Sequence, residues 1–265
     1  MTTQTTDNKS PYWGFFATTG FGLLIFTIYG LVQAAIIIGA AFNNGSLTMD
    51  LLTSGDNKIE LERTLNDITF NGDLLGLTGI PSTLIGVGLI LLIVKLRHTL
   101  SISQYLDLRA PQQPIKTILK WIGAMFLLFV AMEVITQLVD HTPPEFMLLV
   151  YGSTNNKIML WITVVLAAPL FEEFFFRGFL LEGLRHFKLG FFQLGDIGAV
   201  LLTSFLFAII HIQYGVFEIT YIFVTGIIFA VARLKTNSLY VPIAMHMFMN
   251  LSASVLMEIA PELAK

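Results

Sequence analysis

Residues 171–181 read F-E-E-F-F-F-R-G-F-L-L. They decide the fold, because they set Glu172, Glu173 and Arg177 inside an apolar run that begins at Ile158. A charged side chain in hydrocarbon costs about 2.5 kcal/mol or more. Three of them within six residues therefore demand partners, and they suggest a task. The other strongly polar groups set deep in the later apolar runs are His211, His246 and Asn250.

Composition says what surrounds that stretch. Of 265 residues, 55% are hydrophobic and only 12% charged, with a mean hydropathy of +0.74. A soluble domain carries about 25% charged residues, so much of this surface faces lipid. The expected fold is all-α: a polytopic membrane helical bundle of about seven transmembrane helices. No basic tract tracks a phosphate backbone, which argues against nucleic acid as a partner. Cysteine is absent, removing disulfides, thiolate metal sites and cysteine nucleophiles together. The first apolar run is too long for a signal-peptide core and reads as a retained span.

Apolar runs of membrane-crossing length predict spans at 13–42, 74–94, 121–138, 158–187, 197–212, 216–231 and 239–257. A short amphipathic helix fits 59–68, and the apolar stretch 146–151 fits an interfacial segment. Gly76, Gly79, Gly86 and Gly88 would let the second span approach a neighbour closely. With the N-terminus inside, ten Lys and Arg fall on the cytoplasmic side, among them Lys9, Lys95, Lys120, Arg185, Arg233 and Lys235. Four fall outside: Lys58, Arg63, Lys157 and Lys265. That asymmetry sets orientation. The chain then divides into a cytoplasmic tail at 1–12, N-terminal helices and loops over 13–150, and a core over 151–265.

Spacing brings the polar residues together. The fourth and fifth helices form a hairpin turning near 189–195, and Glu172 and His211 stand almost equally far back from that turn. His246 lies roughly 12 Å into the last helix from the basic Arg233–Lys235 loop. All three therefore share one layer, read as lying in the cytoplasmic half. Glu173 and Arg177 are i, i+4 with the acid first, the favourable order for an ion pair. Glu172 points about 100° away and is left free for chemistry. His246 and Asn250 share a face, as do Phe207 and His211, where the ring can wall a cavity beside the imidazole.

A carboxylate in a low-dielectric pocket suits general-base work. With an imidazole it can hold and deprotonate water, while a second His and an Asn can hydrogen-bond an oxyanion. No serine or cysteine nucleophile signature exists, so water is the expected attacker and no cofactor is expected. Zinc is the chemical rival, since two Glu and two His could ligate it, although the H-E-x-x-H spacing is missing. Glu133 and Glu218 match no pattern and read as helix-packing or cavity-rim residues. The phenylalanines of 171–179 read as mostly lipid-facing bulk, and Met245, Met247 and Met249 as packing.

At these residues the chain resembles the CAAX prenyl protease and bacteriocin-processing family, also called Abi, CPBP or type II CAAX endopeptidases. E-E-x-x-x-R stands as Glu172, Glu173 and Arg177; F-x-x-x-H as Phe207 and His211; H-x-x-x-N as His246 and Asn250. The likeness covers about 158–256. It implies a metal-independent glutamic intramembrane endopeptidase working from the cytoplasmic side on a membrane-anchored peptide or protein substrate; the compact, cysteine-free chain reads as bacterial, which would place it in the inner membrane. In it Glu172 and His211 would activate water, His246 and Asn250 would form the oxyanion hole, and Glu173, Arg177 and Phe207 would support them. A non-proteolytic adaptor or bacteriocin-immunity protein on the same fold, a zinc-dependent membrane protease and a proton-coupled transporter are the other readings.

Overall fold

The computed structural model describes residues 10–53, 58–142, 144–189 and 192–259. Lys9, Lys265 and most of the expected tail 1–12 lie outside the described residues. In chain order the helices are α1 (Phe15–Asn43), α2 (Met49–Thr53), α3 (Lys58–Thr69), α4 (Gly72–Arg97), α5 (Ile102–Tyr105), α6 (Ile115–Leu138), α7 (Glu145–Ser153), α8 (Lys157–Arg185), α9 (Gly195–Ile209), α10 (Val216–Thr236) and α11 (Tyr240–Ile259). A two-residue antiparallel pairing of Lys188–Leu189 with Phe192–Gln193 closes the turn between α8 and α9. The chain is an all-α polytopic membrane bundle. Among the described residues α1, α4, α6, α8, α10 and α11 are long and apolar enough to cross a membrane. The seventh expected span is α9, and its 15 residues do not reach that length. It ends at Ile209, so His211 stands in the turn after the helix rather than within it.

Local chemistry starts the two central helices side by side. Asn71 caps α4 by accepting from the Leu74 N–H at 2.9 Å, and Asn156 caps α8 by accepting from the Met159 N–H at 3.1 Å. The Asp73 carboxylate takes the N–H groups of both Asn155 and Asn156, pinning the start of α8 to the start of α4. Small residues then let the two helices run in contact. A Cβ at Gly79 would stand 2.2 Å from Thr163 Oγ1, and Gly76 and Gly86 press on Met159 and Phe171. Gly88 meets nothing within 4 Å and plays no part in this contact. Polar bonds lock the seam: Thr163 Oγ1 donates to the Gly76 carbonyl and Thr83 Oγ1 to that of Ala167.

α8 is the axis of the bundle, and this corrects the reading of its phenylalanines. Phe171, Phe174, Phe175, Phe176 and Phe179 are all buried, packed with residues of α1, α4, α9, α10 and α11 in one cluster. Lipid and a protein core are equally apolar, so a helix oily on every face fits either; from Phe171 to Leu184 α8 is enclosed by its neighbours, while Ile158 and Leu166 nearer its start stay exposed.

A second correction concerns the basic end. Arg233, expected in a loop, lies in α10 fully buried. It pairs with Asp107 at 2.8 Å and Glu182 at 3.2 Å, and Glu182 also meets Arg185. Buried charges persist only when paired, and here each sign meets the other. The Leu239 N–H donates to the Asp107 carbonyl and Ser238 Oγ to that of Arg109. The segment after α5 therefore straps the first helices to the last two.

Candidate active site

Two π-helical turns, Ile162–Ala167 and Phe174–Leu180, flank the Glu172–Glu173 pair on α8. Such wide turns recur at functional sites because they re-aim side chains. In the first, the Ala168 N–H bonds the Thr163 carbonyl, five residues back. The same register would serve Val164 from residue 169, which is Pro169 and has no N–H. Asn250 on α11 supplies the missing donor: its Nδ2 gives a 2.8 Å hydrogen bond to the Val164 carbonyl. One amide proton of the expected oxyanion donor is thus engaged in holding α8, and one is left.

Glu173 and Arg177 form the expected i, i+4 pair, Nη1 to Oε1 at 2.8 Å, with both side chains fully buried. The guanidinium also donates from Nη2 to the Gly226 carbonyl and lies 4.3 Å over the Phe207 ring, a favourable place for a cation. Glu173 does more than the ion pair suggested. Its Oε1 also accepts from His246 Nδ1 at 3.0 Å, which turns Nε2 of that ring to 3.7 Å from Glu172 Oε2. Glu172 and His246 are therefore within one bridging water of each other. Buried Glu172 Oε2 takes no hydrogen bond from the described protein.

His211 is oriented by its own helix end. Its Nδ1 donates to the Phe207 carbonyl at 2.7 Å, leaving Nε2 as the free ring nitrogen. The Phe207 ring stands edge-on to both imidazoles, 5.1 Å from His211 and 5.7 Å from His246, so it walls the site as its spacing suggested. No hydrogen bond or ion pair joins Glu172 to His211 among the described residues; the imidazole in contact with Glu172 is that of His246.

All four candidate catalytic residues, Glu172, His211, His246 and Asn250, line one cavity of about 320 Å³. Phe, Tyr and Met side chains from α6, α7, α10 and α11 form much of its wall. It runs to His141, Pro144 and Glu218, the end of the bundle opposite the one bearing Arg185 and Arg233. Glu133 and Glu218 both line the cavity, the rim role rather than helix packing. Sequence reading missed His141, which holds Glu218 at 2.6 Å, and Tyr214, whose ring stacks on His211. Burial, with the Glu172 charge second, pushes the Tyr214 phenol well above its ordinary value, so it donates rather than ionises. Neither residue belongs to a motif; only the cavity reveals them. Among the described residues no group of three or more His, Asp or Glu is arranged to hold a metal ion.

Residues 154–252 match the family model "Type II CAAX prenyl endopeptidase Rce1-like", and every candidate catalytic residue falls inside that segment. The chain is also 30% identical over 129 residues, 48% of its length, to an "Uncharacterized 24.3 kDa protein" of Escherichia coli, of whose length the match spans 58%. No solved structure matches.

Proposed function

We propose, with residues 154–252 forming an Rce1-like type II CAAX prenyl endopeptidase domain as the premise, that this chain is an intramembrane glutamic endopeptidase. The domain supports a protease-type hydrolase at the level of the family; glutamate chemistry, the client and the side of access are our reading. The observation that carries it is the 3.7 Å approach of His246 Nε2 to Glu172 Oε2 inside a walled cavity. Water bracketed by those two atoms loses a proton to Glu172 as its oxygen adds to a peptide carbonyl carbon. The remaining amide proton of Asn250 supports the oxyanion, a group whose stabilisation is commonly worth ~3 kcal/mol per donor. The C–N bond breaks as Glu172 returns its proton to the leaving nitrogen. Glu173 and Arg177 fix His246, and His211 faces the same cavity as a second proton acceptor. The core over 151–265 performs this chemistry, and the helices over 13–150 brace it.

The protein is a multi-pass membrane protein, in our reading of the cell membrane. Lys and Arg cluster at the end bearing Arg97, Lys116, Arg185 and Lys235, which the positive-inside rule makes cytoplasmic. The cavity runs to the other end, so clients anchored in the membrane are reached from the outer side. The chain has no cysteine, which makes this simple to test. An impermeant maleimide on intact cells should label Asp140→Cys and spare Gln112→Cys; the reverse pattern refutes the outward opening. For the chemistry, terminal-peptide proteomics of membranes should show fragments with the wild type that vanish with Glu172→Gln and with His246→Ala. Identical fragment sets in all three would end the hydrolase reading.

A further inference from the structure

Among the described residues, Glu133 is the acidic group on the cavity wall that takes part in no hydrogen bond or ion pair. On α6 it shares a face with Phe129, Met132 and Thr136, all of which line the cavity. The lipid-exposed residues of that helix, Leu127, Val130, Val134 and Leu138, lie on the other side. The carboxylate is thus turned inward, yet among the described residues no hydrogen bond or ion pair reaches it. Glu218 on the same wall makes the contrast, since His141 holds it at 2.6 Å. Ionisable residues within membrane helices pair with one another or mark the path of a substrate or ion. Glu133 has no hydrogen-bonding or oppositely charged partner among the described residues; Thr136, Tyr221 and Thr225 bring hydroxyls to the same wall, and its other neighbours there are mainly aromatic, aliphatic and thioether groups.

We propose that Glu133 is the specificity residue of this cavity: it binds the ammonium or guanidinium of a client peptide whose neighbouring side chains are apolar. The cavity then selects a basic residue flanked by hydrophobic ones close to the bond that Glu172 serves. This inference rests on the hydrolase reading only in taking the occupant to be a peptide. A phosphatidylethanolamine headgroup offers the same ammonium, and the experiment separates the two sources.

Binding is measured by calorimetry with full-length protein in phosphatidylcholine nanodiscs, without turnover. The probes are N-acetyl-Leu-Lys-Leu amide, its norleucine counterpart, and short-chain dihexanoyl phosphatidylethanolamine. The wild type should prefer the lysine peptide over the norleucine peptide by at least about tenfold. Glu133→Gln should bring that ratio to within about twofold. Glu133→Asp, which keeps the charge, should restore most of it. Glu218→Gln should leave it in place, because that carboxylate is already paired. A ratio unchanged by Glu133→Gln, one lost only with Glu218→Gln, or no binding of either peptide overturns the proposal. Tighter, Glu133-dependent binding of the phosphatidylethanolamine overturns the peptide assignment in favour of a headgroup. A protein that passes these tests and cleaves nothing would sink the hydrolase reading alone.

Discussion

Replacing Glu173 by Gln isolates what the buried charges do. The substitution keeps the shape and removes one unit of charge from a site where Arg177 and Glu173 are both fully buried. Arg177 keeps its bond to the Gly226 carbonyl and its place over Phe207, but its counter-charge is gone. Stranding one member of a buried pair costs about 3–5 kcal/mol, which shifts the folding equilibrium by roughly two to nearly four orders of magnitude. Removing both charges, in Glu173→Gln with Arg177→Met, leaves no lone ion in the interior. That variant should regain most of the loss, giving a coupling of at least about 2 kcal/mol in a double-mutant cycle. Steric trapping in bicelles measures these free energies directly in a polytopic protein. Activity should part company from stability. The double variant folds, yet His246 has lost the carboxylate that aims its Nε2 at Glu172, so turnover of any client should stay depressed. Additive single-variant losses, or full activity in the stable double variant, would refute this account of Glu173.

Asn250→Ala leaves the Val164 carbonyl without its donor and should cost about 1–3 kcal/mol in the same unfolding assay, with Asn250→Asp costing more. Gly79→Ala drives a Cβ to 2.2 Å from Thr163 Oγ1, so α4 and α8 must separate and the melting temperature should fall; Gly88→Ala, in open space, should leave it unchanged. The Tyr214 phenol is raised above its ordinary value of 10.0 in the fold, so its contribution is full below pH 10 and is lost as pH rises beyond. The alkaline limb of a stability–pH profile should therefore flatten in Tyr214→Phe. Phe207→Ala removes the ring that touches both imidazoles and should lower turnover more than it lowers client binding.

Much of the fold was legible because membrane insertion is written in run length: the predicted spans at 74–94, 158–187 and 239–257 each overlap the observed helices closely. The Glu173–Arg177 pair was legible because i, i+4 spacing is a local property. Other features depend on neighbours the sequence does not name. An oily helix fits lipid or core, so the run Phe171–Phe179 reads as lipid-facing although it is buried, and Arg233 reads as a loop residue because its partners Asp107 and Glu182 lie far off in the chain. The engagement of Asn250 required the π register opposite Pro169, which side-chain spacing cannot show. His211 was set on a helix that stops two residues short of it. The imidazole nearest Glu172 turned out to be that of His246, since Glu173 reaches across and turns it.

The shortness of α9 has a bearing on how a client is prepared. Fifteen residues rise roughly 22 Å, against about 30 Å of hydrocarbon. Mismatch of that size is relieved by thinning of the adjoining leaflet or by descent of the interface. On the proposed reading such a pinch would fall beside Phe207 and His211, which line the cavity. A transmembrane client is resistant to attack while its peptide groups are sealed in their own helical ladder. On the proposed reading, a client brought against a thinned collar of lipid would meet water early at its last turn and fray, so that the bilayer itself would deliver an unwound bond to the water that Glu172 activates.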